Sequence, residues 1–164
     1  MTTTDAPTVS LLDVATYLPP ERVPAEWYAQ YSGADDLRDN LMFRAPQFRH
    51  HAAFEETNVD MMVSATEGLR ARHGDDVLAD VDVLLTHSQL PDLPILGAGG
   101  ALARRLGIDP RFVIDVHNGG CAAFVLMLDL ARELLRGGAG STALIACAQN
   151  AAGKIFRQEH VRTL

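Results

Sequence analysis

Three short runs decide what this chain folds into: VDVLLTH (81–87), RFVIDV (111–116) and STALIACAQ (141–149). Each is apolar at successive positions rather than at alternate ones, so a strand made from it has to be covered on both faces. That is the condition of a parallel sheet layered between helices. The helices are present between the runs. ETNVDMMVSATEGLRARHG (56–74) carries apolar residues at 59, 62, 63, 65 or 66 and 69 and stops at Gly74. LGAGGALARRLGI (96–108) closes at Gly107, and the long apolar segment after Cys121 closes at Gly137-Gly138. Strand alternating with helix predicts an α/β architecture with a mostly parallel sheet. Upstream, VSLLDVATYLPPERV (9–23) reads as a strand over 9–16 ended by Pro19-Pro20. PAEWYAQYSGADDL (24–37) reads as a short helix closed by Gly33, and 37–54 as loop with some helical turns.

Composition narrows the partners. The formal net charge of −7 argues against nucleic acid and anionic membrane surfaces as main partners. The longest apolar run, 122–128, is too short to span a bilayer, and MTTTDAPTVS has no basic and apolar signal pattern. With two cysteines and no export signal, the expectation is a cytoplasmic protein without a disulfide framework. His50, His51, His73 and His160 lack the spacing of metal ligands, so no metal is expected. LGAGGAL lacks both the GxGxxG spacing and the Lys-Ser/Thr of a phosphate loop, and its glycines read as packing and dimer contacts.

The chemistry concentrates at DVHNGGCAAFVLMLDLARELLRGG (115–138). Cys121 follows a Gly-Gly pair and stands in the first turn of a helix whose one early charge is Asp129. Helix N-termini carry unsatisfied N–H groups and partial positive charge, which favour thiolate, the nucleophilic form of cysteine. Glycines permit a sharp strand-to-helix turn and a close approach of substrate to backbone. An apolar helix of this kind is expected to be central and buried nearly all round, holding the sulfur rigidly in the manner of a nucleophile elbow. The competing reading is a small buried packing residue. Cys147, inside a buried run, reads as core.

The stretch 81–149 resembles the N-terminal half of the thiolase-fold condensing enzymes, with greatest similarity to the β-ketoacyl-acyl-carrier-protein synthase III group. Strand, Pro-containing loop, helix ending in Leu-Gly, strand ending in Asp-Val and then Cys follow in the family's order, and FRHHAAFEET (48–57) resembles the family's Arg-His stretch before a helix opening in Glu-Thr. The resemblance implies the N-terminal half of a layered αβαβα thiolase fold, with a mixed, mostly parallel sheet around a buried nucleophile helix. Residues 1–164 would form that half, ending before its last strand, with a C-terminal half as the rest of the protein or a separate chain. It also implies that Cys121 takes an acyl group from a carrier-protein or coenzyme A thioester, which is substrate rather than cofactor. The acyl-enzyme then condenses with a malonyl-type carrier thioester, in fatty-acid or polyketide synthesis. Acyl carrier protein and a second copy of the chain are the implied partners. The alternatives are transfer of the acyl group to an alcohol or amine, and a non-catalytic partner subunit.

Several residues join Cys121 as candidates. His117, four positions earlier, either assists the thiol or caps the strand end. His87 and Ser88 end a predicted strand, where open α/β sheets place ligands; they either line the cavity or satisfy the loop backbone. Ile95 stands about where the family has a bulky side chain that crosses the dimer interface and floors the partner's acyl pocket. Arg162, or Arg157, falls near a family position that contacts coenzyme A phosphates, within a set of arginines (44, 49, 104, 105, 157, 162) that otherwise reads as solvated. DNLMFRAPQ (39–47) replaces the family's coenzyme A-stacking Trp, by position near Asp39, and its glycine, at Ala45. A carrier-protein donor is favoured on that account.

Overall fold

The structure is a computed structural model that describes residues 8–24, 26–27, 47–93 and 95–150. In chain order its elements are β1 (Glu21–Pro24), β2 (Phe48–His51), α1 (Asn58–His73), β3 (Val83–Ser88), α2 (Gly99–Leu106), β4 (Phe112–Asp115), α3 (Ala123–Arg136) and β5 (Ala143–Ala148). They fall into two compact units. Met1–Tyr17 and Asn58–Ala148 form the first, and Leu18–Thr57 with Gln149–Leu164 the second.

The first unit is the α/β layer that the three apolar runs predict. Its sheet has the order β4-β3-β5, every pair parallel. All six residues of central β3 are buried, as a strand covered on both faces requires. On one face Val83 and Leu85, both fully buried, pack with Ile114 and Ile145 against Met127 and Ala131 of α3. Residues of the other register, Val113 and Asp115, meet the start of α2. Two right-handed crossovers therefore place α2 and α3 on opposite faces of the sheet. The glycine-rich start of α2 has a packing cause. Gly99 N–H donates to Asp115 Oδ1 at 2.8 Å, Thr86 Oγ1 donates to the same oxygen, and a Cβ on Gly97 would overlap the Asp115 carboxylate. Asp115 thus occupies the N-terminus of α2 that a phosphate would need. At the other end, Gly107 closes α2 with a φ of 71°, the left-handed turn that glycine accommodates.

Three expectations for this unit are corrected. Residues 9–16 are not a strand: among the described residues no other segment pairs with them, and an isolated strand has no ladder to stabilise it. They are tied to the end of α1 instead. Arg72 Nε and His73 Nε2 both reach Asp13 Oδ2 at 2.7 Å, and Arg72 also donates to the Val14 carbonyl at 3.0 Å. α3 is not buried all round. Ala123, Met127 and Ala131 form its buried stripe, whereas Phe124, Val125 and Leu126 are exposed. Apolar content alone did not reveal that one side of the helix meets the sheet and the other does not. Finally, β4 and β5 are edge strands, so Val113 and Cys147 are exposed where two-sided burial was expected.

The second unit holds an antiparallel strand pair that the sequence pattern did not indicate. β1 pairs with β2 in the register Glu21↔His51 through Pro24↔Phe48. ERVP and FRHH lack the alternation that announces a strand; side-chain contacts support them instead. The Arg22 guanidinium lies 4.3 Å from the centre of the Phe48 ring, and His50 Nδ1 donates to the Pro19 carbonyl at 2.5 Å. His51 is buried with the Trp27 ring edge-on at a centroid distance of 5.5 Å. Burial, and secondarily the charge of Arg49, pushes the His51 pKa below the ordinary imidazole value. Of the helix expected from Pro24 to Gly33, Pro24 instead ends β1, Glu26 and Trp27 are helical, and the remainder lies outside the described residues.

Candidate functional site

The site starts from the turn between β4 and α3. After Asp115 the chain reverses through His117-Asn118-Gly119-Gly120, with Asn118 at φ 62° and Gly120 at φ 51°. Asn is among the few side chains that tolerate this left-handed region, and Gly120 has no Cβ to resist it. Gly119 is required for a different reason, since a Cβ there would lie 2.6 Å from Ala123 Cβ. The chain then makes one 3₁₀ turn over Gly120–Ala122 before α3 begins. Cys121 sits in that turn and is exposed.

The sheet delivers the next residues. Val83 and Leu85 face α3, and the period of two carries the same face onward to His87. On β5, Ala143 and Ile145 lead in the same way to Cys147, which is the register partner of His87. The strands are parallel, and α3 starts after the C-terminal end of β4. His87 and Cys147 therefore occupy the end and the face of the sheet over which Cys121 opens the helix. His87 is nearly buried, and its Nδ1 donates to the Val116 carbonyl at 2.7 Å. A carbonyl only accepts, so Nδ1 carries a proton, and Nε2 is the nitrogen left for another partner. Cys147 is exposed on its edge strand, but the protein around it still pushes its thiol pKa up through burial.

The other candidates separate. Ser88 belongs to the opposite register and donates to the Leu90 carbonyl at 2.8 Å, so it satisfies loop backbone. His117 is exposed and makes no hydrogen bond to the strand end. Ile95 lies at the tip of the β3–α2 loop, 97% exposed, with φ 73°. A β-branched residue in that region is strained, and the Leu93↔Leu96 bridge flanking it holds the tip. Arg162, Arg157, Asp39 and Ala45 lie outside the described residues. Among the described residues no cluster of His, Cys, Asp and Glu is arranged to hold a metal ion, and no helix is long and apolar enough to cross a membrane. The sequence did not bring Cys147 beside His87, because the register of two parallel strands is not written in either one.

Solved structures of similar fold are numerous. A 3-oxoacyl-(acyl-carrier-protein) synthase III is 28% identical, superposes with a TM-score of 0.72 and matches 85% of this chain against 41% of its own. By structure, the chain is a homologue of the thiolase-fold condensing enzymes. The β-ketoacyl-[acyl carrier protein] synthase III of Thermus thermophilus matches 88% of this thiolase-fold chain at 22% identity and a TM-score of 0.73, over 44% of its own length. The H285D variant of OleA from Xanthomonas campestris shares the fold at 17% identity, with a TM-score of 0.69, 84% of this chain and 42% of its own. The chain spans 38–45% of the length of the solved structures described for it. No protein-family model and no curated protein sequence matches it.

Proposed function

We propose that Cys121 is the acyl-accepting nucleophile of a condensing enzyme. It would take an acyl group from a carrier-protein or coenzyme A thioester and condense it with a malonyl-type carrier thioester. One observation carries this reading: in a thiolase-type fold, an exposed cysteine stands on a tight strand-to-helix turn at the head of a helix packed on the sheet. A backbone N–H at the head of a helix can stabilise an oxyanion in acyl transfer, and that of Cys121 is the one proposed for this role. Acyl carrier protein is the proposed donor and a second copy of the chain the proposed partner. Ile95, on its strained and exposed tip, is the proposed floor of that partner's acyl pocket. The assigned setting is cytoplasmic fatty-acid or polyketide synthesis.

The test is the intact mass after incubation with acyl-carrier protein or acyl-coenzyme A. Acylation is expected in the wild type and absent in Cys121→Ala, faster from the carrier protein. Equal loading from coenzyme A overturns the donor assignment. Absence of any adduct overturns the nucleophile.

A further inference from the structure

Asp115, the last residue of β4, and Val116 after it are held more closely than strand pairing alone requires. Thr86, buried in β3, holds both of them. Its Oγ1 donates to Asp115 Oδ1, and its carbonyl accepts the Val116 N–H at 2.8 Å. Asp115 Oδ1 also accepts the Gly99 N–H at 2.8 Å, so one carboxylate oxygen ties the end of β4 to the central strand and to the head of α2. No space remains beside the carboxylate, since a Cβ on Gly97 would overlap it. Beyond Val116 this hold ends. Among the described residues His117 and Asn118 make no hydrogen bond; the turn is next fixed where Gly119 meets Ala123 and accepts the Ala122 N–H at 3.1 Å. The place of Cys121 over the sheet is therefore set upstream at Asp115 and Val116, and downstream by the packing of α3.

We propose that Asp115 is a positioning residue for Cys121, fixing through Thr86 and Gly99 the point from which the turn leaves the sheet. This rests on Cys121 being the acyl acceptor. The Asp115 side chain lies on the α2 face of the sheet, opposite the face that α3 covers, so it acts on the sulfur through the backbone alone. An apolar side chain in this register would pack on α2 without fixing a direction, whereas hydrogen bonds are directional. Their geometry matters here more than the charge. Asn in place of Asp115 keeps an Oδ1 acceptor for Thr86 and Gly99, and Ala does not.

Single-turnover acylation of the full chain by an acyl-carrier protein, followed by intact mass over a range of donor concentrations, tests this. Asp115→Ala is expected to lower the limiting rate by about tenfold or more, as a misplaced nucleophile does. The half-saturating donor concentration should stay within about twofold, because donor binding is untouched. Asp115→Asn is expected to recover most of the rate. Gly97→Ala leaves β4 and the turn unaltered in sequence but displaces the carboxylate, and should reproduce the loss. Gly100→Ala, with open space around it, should not. Wild-type rates in Asp115→Ala and Gly97→Ala overturn the proposal, as does an Asp115→Asn no faster than Asp115→Ala. If neither Ala variant folds, Thr86→Val against Thr86→Ser decides: loss in Val with recovery in Ser supports the proposal, and equal rates overturn it. If the wild type accepts no acyl group, the nucleophile reading fails by itself and amide exchange decides this one. Faster exchange confined to residues 117–122 in Asp115→Ala supports the positioning role, and unchanged or uniformly faster exchange overturns it.

Discussion

The backbone N–H of Asn58 donates to both carboxylate oxygens of Asp92, at 3.0 and 2.9 Å, across 34 residues of chain. Asn58 Nδ2 adds bonds to the Leu90 carbonyl and to Asp92 Oδ1. One carboxylate thereby caps the N-terminus of α1 and anchors the loop whose tip carries Ile95. Asp92→Ala leaves the buried Asn58 N–H without this acceptor and should cost about 1–2 kcal/mol in urea unfolding. Amide exchange over Leu93–Leu96 should accelerate in the same variant. Unchanged exchange there would show that the tip is held by something else.

The sheet depends on α3 through one side chain above all. Met127 is fully buried between the helix and Val83 and Leu85. Met127→Ala should lower stability by about 2–5 kcal/mol, the range for a large-to-small change in a packed core. Val125→Ser, two residues earlier on the exposed side, should change it by less than about 0.5 kcal/mol. Similar losses at both positions would mean that the outer face of the helix is covered.

Acid should loosen two links in the first unit. The Asp13 carboxyl is held well below the usual range by hydrogen bonds from Arg72 and then His73, and the Asp82 carboxyl is lowered by the backbone N–H groups of Ser141 and Thr142. A folded-state pKa below the unfolded one contributes stability above the unfolded value, and that contribution fades as pH falls through the folded value. Unfolding free energy should therefore decline below about pH 4, near the unperturbed carboxylate value. Asp82→Asn should flatten that decline, which urea melts at stepped pH will show.

For the second unit the sign runs the same way in a higher window. His51 has a folded pKa below its unfolded value, so the neutral ring favours the fold above the ordinary imidazole pKa of about 6.5. Stability contributed by His51 is lost as pH falls below that point. Trp27, the one tryptophan of the chain, lies edge-on to this ring and reports on it directly. Its fluorescence should change on acidification below about pH 6.5, and the change should disappear in His51→Phe.

What the sequence disclosed was decided by where burial is two-sided. β3 announced itself because every residue from Val83 to Ser88 is covered, and Gly74 and Gly107 marked the ends of α1 and α2 correctly. The β1–β2 pair escaped notice because Arg22, His50 and His51 are held by a ring, a carbonyl and an edge-on indole, none of which leaves a period in the sequence. Cys147 was misread because an apolar run does not say whether its strand is central or at an edge. The place of Cys121 at the head of a helix was legible, since glycines before and a helix after are local features. His87 was only half legible: its address at a strand end was visible, but the bond to Val116 that turns its ring was not.

The order β4-β3-β5 has a consequence for biosynthesis. The middle strand is made first, and its second neighbour ends at Ala148, sixty residues after Ser88. At about 5–20 residues per second, translation leaves VLLTHS without one flank for several seconds. During that interval the most deeply buried segment of the sheet is open to chaperones and to neighbouring nascent chains, so yield should be governed by synthesis rate as much as by final stability.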